Sequence, residues 1–428
     1  MNKKIVVLGG GTFSHVRAHL ALAAPAFGAT ARQIAKMCEK RFDHLDTELV
    51  LTKMADSSGS IVTNEDVDKM VDLIINDNTV KIVFFNIALC DFSGQIGEVE
   101  SGKHATRLET AAGEAKMTLT PSEKIIGKIR QTRKDIFLVG FKTTCGATEQ
   151  VQFSKGLDLM KRTSCNIVLA NDIETRKNLI ITPEEGVYGK EMTRIECLEE
   201  LVDIALKRSS LTFNDKTILK NNERAYPEKL IIEGSIPENW YNVMNYLFSN
   251  NAFKPINGKT SGHFGCRVDG REFERITSER KINHNESFER GMIPVYSYEN
   301  GELVVGGAKP SVGEKTQEMI YQELGDKIHS IVHFHGRIQG YVPYIPFEIR
   351  DQKPFECGSR ECAINTVSGM SEIEPGIYAV HLDNHGPNIA FHKDVPYEKI
   401  IDFINFYWDL NSSTSGFNNT VNKEMVEV

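Results

Sequence analysis

The sequence has few of the features that mark membrane, secreted or nucleic-acid-binding proteins. No apolar run approaches the roughly 18 residues that a membrane span needs. The first apolar run, residues 5–8, is ended by glycines too early for a secretory signal. The net charge is -8, and lysine and arginine form no block that would follow a phosphate backbone. We therefore expect no membrane partner and no nucleic-acid partner.

The cysteines also lack the spacing that is typical of a disulfide-bonded secreted domain or of a metal site. Eight cysteines occur, but none belongs to a Cys-x-x-Cys pair. Six of them lie within or beside apolar runs, as small hydrophobic residues do. This usage is typical of a reducing compartment, and we predict a cytoplasmic protein.

The length of 428 residues predicts two domains of about 200 residues each. In the first half, short β-rich runs alternate with helices expected near 29–41, 64–76, 121–132, 149–162 and 190–208. This alternation predicts an α/β fold with a doubly wound, Rossmann-like parallel sheet. The second half has antiparallel-looking runs and helices near 238–250, 313–324, 359–369 and 396–410, which indicate an α/β/α layered domain. The predicted boundaries are 1–210 for the first domain, 211–228 for a linker, 229–410 for the second domain and 411–428 for a flexible tail.

Three glycines follow the first apolar strand directly, in Gly9-Gly10-Gly11-Thr12. Glycines at the exit of a strand let the backbone approach a phosphate and leave N–H groups that can bind it. A tight turn that only requires glycine is the alternative. Ligands of an open α/β sheet bind at the carboxyl ends of its strands, so Asp91 and Phe141-Lys142 are expected to line the same crevice.

With these residues, the first half resembles phosphopantothenate–cysteine ligase, the nucleotide-dependent enzyme of coenzyme A biosynthesis. The resemblance covers roughly residues 4–190 and rests on Gly10-Gly11-Thr12, Val16-Arg17, Gly28-Ala29-Thr30-Ala31, Ala88-Leu89-Cys90-Asp91-Phe92, Gly102-Lys103, Leu119-Thr120-Pro121, Gly140-Phe141-Lys142 and Ala170-Asn171-Asp172. It implies that ATP or CTP binds here, with Lys103 at the phosphates, Asp91 and Phe141 in the pocket, and Asn171-Asp172 on its far side. Gly10, Gly11, Thr12 and Lys142 complete the predicted nucleotide-binding set.

One departure from the ligase pattern affects the expected chemistry. Ala21 stands where the family has an Asn that contacts the acyl phosphate intermediate. An alanine side chain cannot donate that hydrogen bond, and a lost donor of this kind costs on the order of 3 kcal/mol in the barrier. We therefore expect nucleotide binding or a changed reaction in this half.

The second half carries a candidate metal site. His333-Phe334-His335 ends an apolar strand, and alternation along a strand puts both imidazoles on one face. His385 follows another predicted strand and precedes a glycine, which allows a tight turn. Three neutral imidazoles with an open fourth position are typical of catalytic zinc, although manganese, cobalt or nickel also accept nitrogen ligands.

Around these histidines, the region from about 236 to 408 resembles the class II aldolase and adducin family. The shared motifs are Ser261-Gly262-His263-Phe264-Gly265-Cys266-Arg267, Lys309-Pro310-Ser311, Glu314, His333-x-His335, Gly358-Ser359-Arg360-Glu361 and Asn384-His385-Gly386. The spacing of Glu314 from His333 agrees with that of the family's catalytic carboxylate, which implies that Glu314 moves a proton. We predict that the substrate is bound by His263, Arg267, Lys309 and Ser311, because several phosphate donors of the sugar-phosphate members are absent.

The combined resemblance implies a metal-dependent lyase or epimerase that acts on a ketose or sugar phosphate through an enediolate. The chain would be bifunctional if its ligase-like domain is also active. The alternative is a phosphopantothenate–cysteine ligase-like amide ligase with an accessory aldolase-like domain. A non-catalytic, adducin-like interaction domain is disfavoured, because the three histidines and Glu314 are retained. Both families form symmetric oligomers, so a homo-oligomer, either a dimer or a tetramer, is expected.

Overall fold

The computed structural model describes residues 3–41, 45–213, 216–253, 255–256, 259–280, 282 and 287–418. Within these described residues, the chain divides into two compact units, one formed by 3–182 and 188–209 and the other by 183–187 and 210–418. Among the described residues, no helix combines the length and the apolar character needed to cross a membrane.

The first unit is built around a largely parallel sheet. Its helices are α1 (Ala29–Arg41), α2 (Asn64–Asn76), α3 (Ile126–Thr132), α4 (Glu149–Thr163) and α5 (Arg194–Ser209). Its strands are β1 (Lys3–Gly11), β2 (Phe13–Arg17), β3 (Leu20–Ala23), β4 (Leu45–Leu51), β5 (Val80–Ala88), β6 (Phe92–Ile96), β7 (Met117–Pro121), β8 (Phe137–Thr144), β9 (Ile167–Asp172), β10 (Asn178–Ile181) and β11 (Val187–Tyr188). The sheet order is β11-β10-β9-β8-β5-β1-β4.

Strands β4, β1, β5, β8 and β9 pair in parallel, and β10 pairs antiparallel to β9. Residues 5–8 of β1 are each at most 2% exposed, which is the pattern of a strand covered on both faces. One face packs on α1 and α5 through Ile5, Val7, Ile34 and Leu201. The predicted α/β fold with a parallel sheet is therefore confirmed.

The second unit contains a larger, mixed sheet. Its helices are α6 (Pro227–Ile232), α7 (Glu238–Ser249), α8 (Glu314–Leu324), α9 (Arg360–Gly369) and α10 (Tyr397–Tyr407). Its strands are β12 (Lys216–Asn221), β13 (Pro255–Ile256), β14 (Lys259–Thr260), β15 (His263–Arg267), β16 (Arg275–Ser278), β17 (Met292–Glu299), β18 (Glu302–Gly306), β19 (Ser330–His333), β20 (Arg337–Ile338), β21 (Glu348–Arg350), β22 (Ser371–Glu374), β23 (Ile377–Leu382), β24 (Gly386–Phe391) and β25 (Trp408–Asp409). The main order is β12-β18-β17-β16-β15-β19-β24-β23-β21, with β22 beside β23.

Helices cover both faces of this sheet, because alternate residues of its central strands enter different cores. Ile331 of β19 packs with Ile320 and Tyr321 of α8. Val332, the next residue of β19, belongs to the core that contains Trp240 of α7 and residues of α10. The second unit is therefore layered as helices, sheet and helices.

Three predicted segments differ from the structure. Helix α3 begins at Ile126, not near 121, because residues 117–121 form β7 and pair with β6. Helix α10 ends at Tyr407 because residues 408–409 pair with β20. Residues 216–221 of the predicted linker 211–228 form β12, which pairs with β18. Of the predicted tail, residues 411–418 form turns and bends, and 419–428 lie outside the described residues.

Candidate functional site

The candidate nucleotide crevice lies where the connections of the first sheet change direction. Strand β1 is flanked by β4 on one side and β5 on the other, as at the switch point of doubly wound folds. The carboxyl ends of parallel strands meet at one edge of a sheet. This edge therefore receives Thr12 after β1, Cys90-Asp91 after β5, Lys142 within the last part of β8 and Asn171-Asp172 at the end of β9.

The glycines of this edge do not form the predicted loop. Strand β1 continues through Gly11, which pairs with Ala88 of β5. A Cβ atom at Gly11 would lie 1.9 Å from the carbonyl oxygen of Ala24, and one at Gly10 would lie 2.1 Å from Oγ1 of Thr52. These glycines are required because other parts of the chain pack against them. Gly10 and Gly11 therefore lie within β1 and not in a loop after it, and their part in phosphate binding stays a prediction.

Two other predicted nucleotide residues are engaged within the protein. The buried Thr12 hydroxyl donates to Oδ1 of Asn64 at 2.6 Å and accepts from the Cys90 backbone N–H at 2.8 Å. The Asp172 carboxylate accepts from the backbone N–H groups of Thr175, Ala147, Glu174 and Gly146 and from the Thr144 hydroxyl. These bonds, with that of Thr175 foremost, hold the pKa of Asp172 below its usual range. Thr12 and Asp172 thus hold neighbouring residues in place at this edge of the sheet through hydrogen bonds.

The remaining candidates of the first unit are more accessible. Lys103 lies in an exposed turn between β6 and β7, and Asp91 is exposed and forms an ion pair with Lys124. Phe141, Lys142 and Asn171 are half-buried. Ala21 lies on β3, opposite His15 of β2.

In the second unit, the structure brings His333, His335 and His385 together. One nitrogen from each imidazole lies within 4.8 Å of the corresponding atoms of the other two. The ring centroids are 5.2 Å apart for His333 and His335, 4.7 Å for His333 and His385, and 4.9 Å for His335 and His385. Nitrogen atoms at such separations can converge on one ion, because zinc binds imidazole at about 2.0–2.1 Å.

Local backbone geometry explains how His385 reaches the other two histidines. The turn between β23 and β24 is closed by a hydrogen bond from the His385 N–H to the Leu382 carbonyl at 3.0 Å. Asn384 has φ of 55° and Gly386 has φ of 135° in this turn. A Cβ atom at Gly386 would lie 2.2 Å from the Phe334 carbonyl oxygen. Only glycine therefore allows the turn to pack against residues 334–335.

The orientation of His333 is fixed by a backbone acceptor. Its Nδ1 lies 2.7 Å from the carbonyl oxygen of Pro387, so Nδ1 carries the proton and donates. The lone pair is then on Nε2, which is buried and has no hydrogen-bond partner among the described residues. Burial, and then the neighbouring His335, lowers the pKa of His333 to about 3. A neutral imidazole with a backbone-oriented ring is the usual form of a metal ligand.

His263 extends this group toward helix α8. Its ring stacks on that of His333 with centroids 4.6 Å apart. Gly313, which precedes α8, approaches the His263 ring so closely that a Cβ atom there would lie 1.9 Å from Cδ2. Ser311 lies on the same loop, where its hydroxyl accepts from the Gly313 N–H at 3.3 Å. Burial, and then His333, lowers the pKa of His263 well below its usual value, so it is a neutral group.

Glu314 is the first residue of α8 and is buried. Its Oε1 accepts from Arg275 at 2.6 Å, and Arg275 also pairs with Glu318 at 2.5 Å. Burial raises the pKa of Glu314, while Arg275 opposes that rise. In the described part of the chain, the group of potential metal ligands contains the three histidines and not Glu314. Sequence reasoning missed Arg275, whose only signal is a charged residue in the otherwise apolar and small run of β16.

Two predicted substrate residues lie away from the histidines or in solvent. Arg267 is at the far end of β15 from His263, about 13 Å along a strand that rises roughly 3.3 Å per residue, and it pairs with Asp326 at 2.9 Å. The structure thus places Arg267 away from the histidines, and a substrate contact by Arg267 stays a prediction. Lys309 is exposed, and its carbonyl oxygen accepts from the Arg280 N–H at 3.0 Å.

Comparisons with known proteins return different relatives for the two halves. No family model matches the chain. A segment of 214 residues is 24% identical to the coenzyme A biosynthesis bifunctional protein CoaBC of Thermococcus kodakarensis. It covers 47% of this chain and 50% of that protein, so the chain spans about half the length of the curated relative that it matches.

Solved structures with similarity include the DNA/pantothenate metabolism flavoprotein of Streptococcus pneumoniae, at 17% identity and a TM-score of 0.38, covering 47% of this chain and 97% of that one. Another is the L-fuculose-1-phosphate aldolase of Thermus thermophilus, at 16% identity and a TM-score of 0.26, covering 37% of this chain and 83% of that one. The predicted resemblance is thus confirmed to this extent: the first half matches a coenzyme A biosynthesis protein, and the second half is returned with aldolases.

Proposed function

We propose that the second unit is a divalent-metal-dependent lyase or epimerase that acts on a ketose or its phosphate. The convergence of His333, His335 and His385 is the observation that carries this proposal, because one nitrogen of each lies within 4.8 Å of the others. The residues fit an ion by a second criterion. The buried Nε2 of His333 has no partner among the described residues, and such a group is costly unless a ligand satisfies it.

Each protein group has a distinct part in the proposed chemistry. The Pro387 carbonyl holds the His333 ring with Nε2 directed away from the backbone. A divalent ion on this donor set, zinc foremost, would supply Lewis-acid stabilisation of negative charge on a substrate oxygen. Glu314 would exchange the substrate proton, since a carboxyl group with a raised pKa is suited to acid–base work near neutral pH. Burial of His263 and His333 keeps bulk water from this end of the sheet.

Metal analysis of the purified, untagged full chain tests the proposal. The parent protein is expected to contain about one divalent ion per chain, and the double variant His333→Ala, His335→Ala none, by mass spectrometry. His392→Ala is the matched control, because His392 lies outside the cluster and contacts His329 instead. A parent without metal after incubation with zinc, manganese, cobalt and nickel, or a double variant that keeps its ion, would contradict the proposal. Metal-loaded protein is then assayed for aldol cleavage and epimerisation of ketoses.

For the first unit, we propose nucleotide binding at the carboxyl edge of the sheet. The similarity to CoaBC over 214 residues favours this assignment, as does the accessible position of Lys103. Ligase activity is the second candidate function. It has less support, because Ala21 offers no side-chain donor to an acyl phosphate and the glycines of β1 are packed against the chain.

A further inference from the structure

A row of three buried polar side chains crosses the second sheet at the candidate metal site. Strand β19 lies between β15 and β24, and His333 is directly opposite His263 on one side and Asn388 on the other. Residues that oppose each other in antiparallel pairs share a face, with Cβ atoms about 4.5–5.5 Å apart. His263, His333 and Asn388 therefore form a continuous row on the face that α8 covers.

Each member of this row has a polar atom that no described residue of the protein hydrogen-bonds. The three residues are 3%, 1% and 1% exposed, in the order His263, His333 and Asn388. Within the described residues, Nδ1 of His263, Nε2 of His333 and Oδ1 of Asn388 take part in no hydrogen bond. One such group costs about 1–3 kcal/mol, and native proteins rarely keep several together unless water, an ion or a ligand satisfies them. Their alignment indicates a single ligand site.

The amide group of Asn388 limits which chemical groups the ligand can present at this position. Its amide oxygen only accepts hydrogen bonds, so the ligand must present a donor. Two arginines of this face are engaged by carboxylates, because Arg275 is held by Glu314 and Glu318 and Arg267 pairs with Asp326. A neutral hydroxyl group next to the metal-binding end of a sugar-like molecule has the required chemistry.

We propose that Asn388 is a substrate-binding residue whose Oδ1 accepts a hydrogen bond from a hydroxyl group of the substrate held at His333, His335 and His385. This inference rests on the proposed metal site and assigns part of its specificity. Asn388 is a specificity-determining residue for substrates that carry a hydroxyl group beside the group bound by the ion.

Cobalt-loaded full-length protein and two small chelators provide the test. Glycolohydroxamate and acetohydroxamate bind metals through the same two oxygens, and only the first carries an additional hydroxyl group. Their dissociation constants are measured from the visible spectrum of bound cobalt. The parent protein is expected to bind glycolohydroxamate on the order of tenfold more tightly, as one satisfied buried acceptor predicts.

Variants assign that preference to Asn388. Asn388→Leu has nearly the same shape without the acceptor, so the ratio of the two constants should fall to about one. Asn388→Asp keeps an acceptor and should keep the preference, because the ratio cancels any change in metal affinity. Ser330→Ala is the matched control: Ser330 is also buried, and its Oγ also has no partner among the described residues, but it lies on the opposite face of β19.

The outcomes separate this inference from the function on which it rests. A parent protein that takes up no cobalt would contradict the metal site, and the inference with it. Cobalt uptake with equal binding of the two chelators would overturn the role of Asn388 alone. A preference that survives in Asn388→Leu, or disappears equally in Ser330→Ala, would also overturn it. If Asn388→Leu fails to fold, the ratio of the two dissociation constants in the parent protein and in Asn388→Asp still tests the role of Asn388.

Discussion

Among the described residues, Arg275 is the only positive charge paired with the buried carboxylates of Glu314 and Glu318, and replacing Arg275 by Met removes it. The Arg275 side chain is 4% exposed and contacts Glu314 at 2.6 Å and Glu318 at 2.5 Å, whose side chains are 3% and 10% exposed. Loss of one partner from a buried ion pair typically costs about 3–5 kcal/mol, because the other charge stays buried and unpaired. We expect Arg275→Met to lower the free energy of unfolding of the second unit by about that amount.

The penalty should depend on pH. Burial raises the pKa of Glu314 above its ordinary value of 4.5 in the folded protein, while Arg275 counteracts the rise. A carboxyl group with a raised folded pKa binds more protons when folded than when unfolded, so stability falls as pH increases from the unfolded pKa through the folded one. Without Arg275 the folded pKa rises further, and the loss of stability extends to higher pH. The cost of Arg275→Met should therefore be larger at pH 8 than at pH 5.

Tryptophan fluorescence during urea unfolding measures this cost selectively. The chain has two tryptophans, and both Trp240 and Trp408 are fully buried in the core of the second unit. Lys216→Met is the matched control, because it removes an exposed ion pair with Glu302 and should cost less than about 1 kcal/mol. A penalty for Arg275→Met as small as that of the control, or one that is equal at pH 5 and pH 8, would refute the reasoning.

Two further predictions concern a backbone turn and the first unit. Gly386→Ala should lower the free energy of unfolding by at least about 2 kcal/mol and abolish metal uptake, because the new methyl group would lie 2.2 Å from the Phe334 carbonyl oxygen at a φ of 135°. Gly340→Ala is the control, because no described atom lies within 4 Å of the new methyl group, and it should leave stability and metal uptake unchanged. The nucleotide proposal predicts that isothermal titration detects CTP or ATP binding and that Lys103→Ala weakens it severalfold, whereas Lys36→Ala on the exposed side of α1 does not. Absence of binding in the parent would contradict that proposal.

Local sequence patterns predicted the parts of the fold that depend on local physics. The alternation of apolar runs and helices indicated the parallel sheet, because strands buried on both faces are continuously apolar, as residues 5–8 are. The prediction that Gly10 and Gly11 form a loop failed for a non-local reason. Thr52 occupies the Cβ position of Gly10, and Ala24 occupies that of Gly11. Nothing in the glycine run itself distinguishes a phosphate-binding loop from a strand against which distant residues pack closely. The same limit applies to Arg275, whose partners lie on another element.

Sequence patterns could identify some residues of the candidate metal site but not others. His333 and His385 could be selected from the sequence because each stands at the end of an apolar run, next to residues that permit a turn. Asn388 could not, because its significance depends on which residue faces it across β19 and β24. A shift of one residue in that register would turn Asn388 to the opposite face of the sheet and place Pro387 or Ile389 beside His333. Register follows from the packing of Ile389 and Phe391 against one layer of helices and Ala390 against the other, so the site is a consequence of the core that surrounds it.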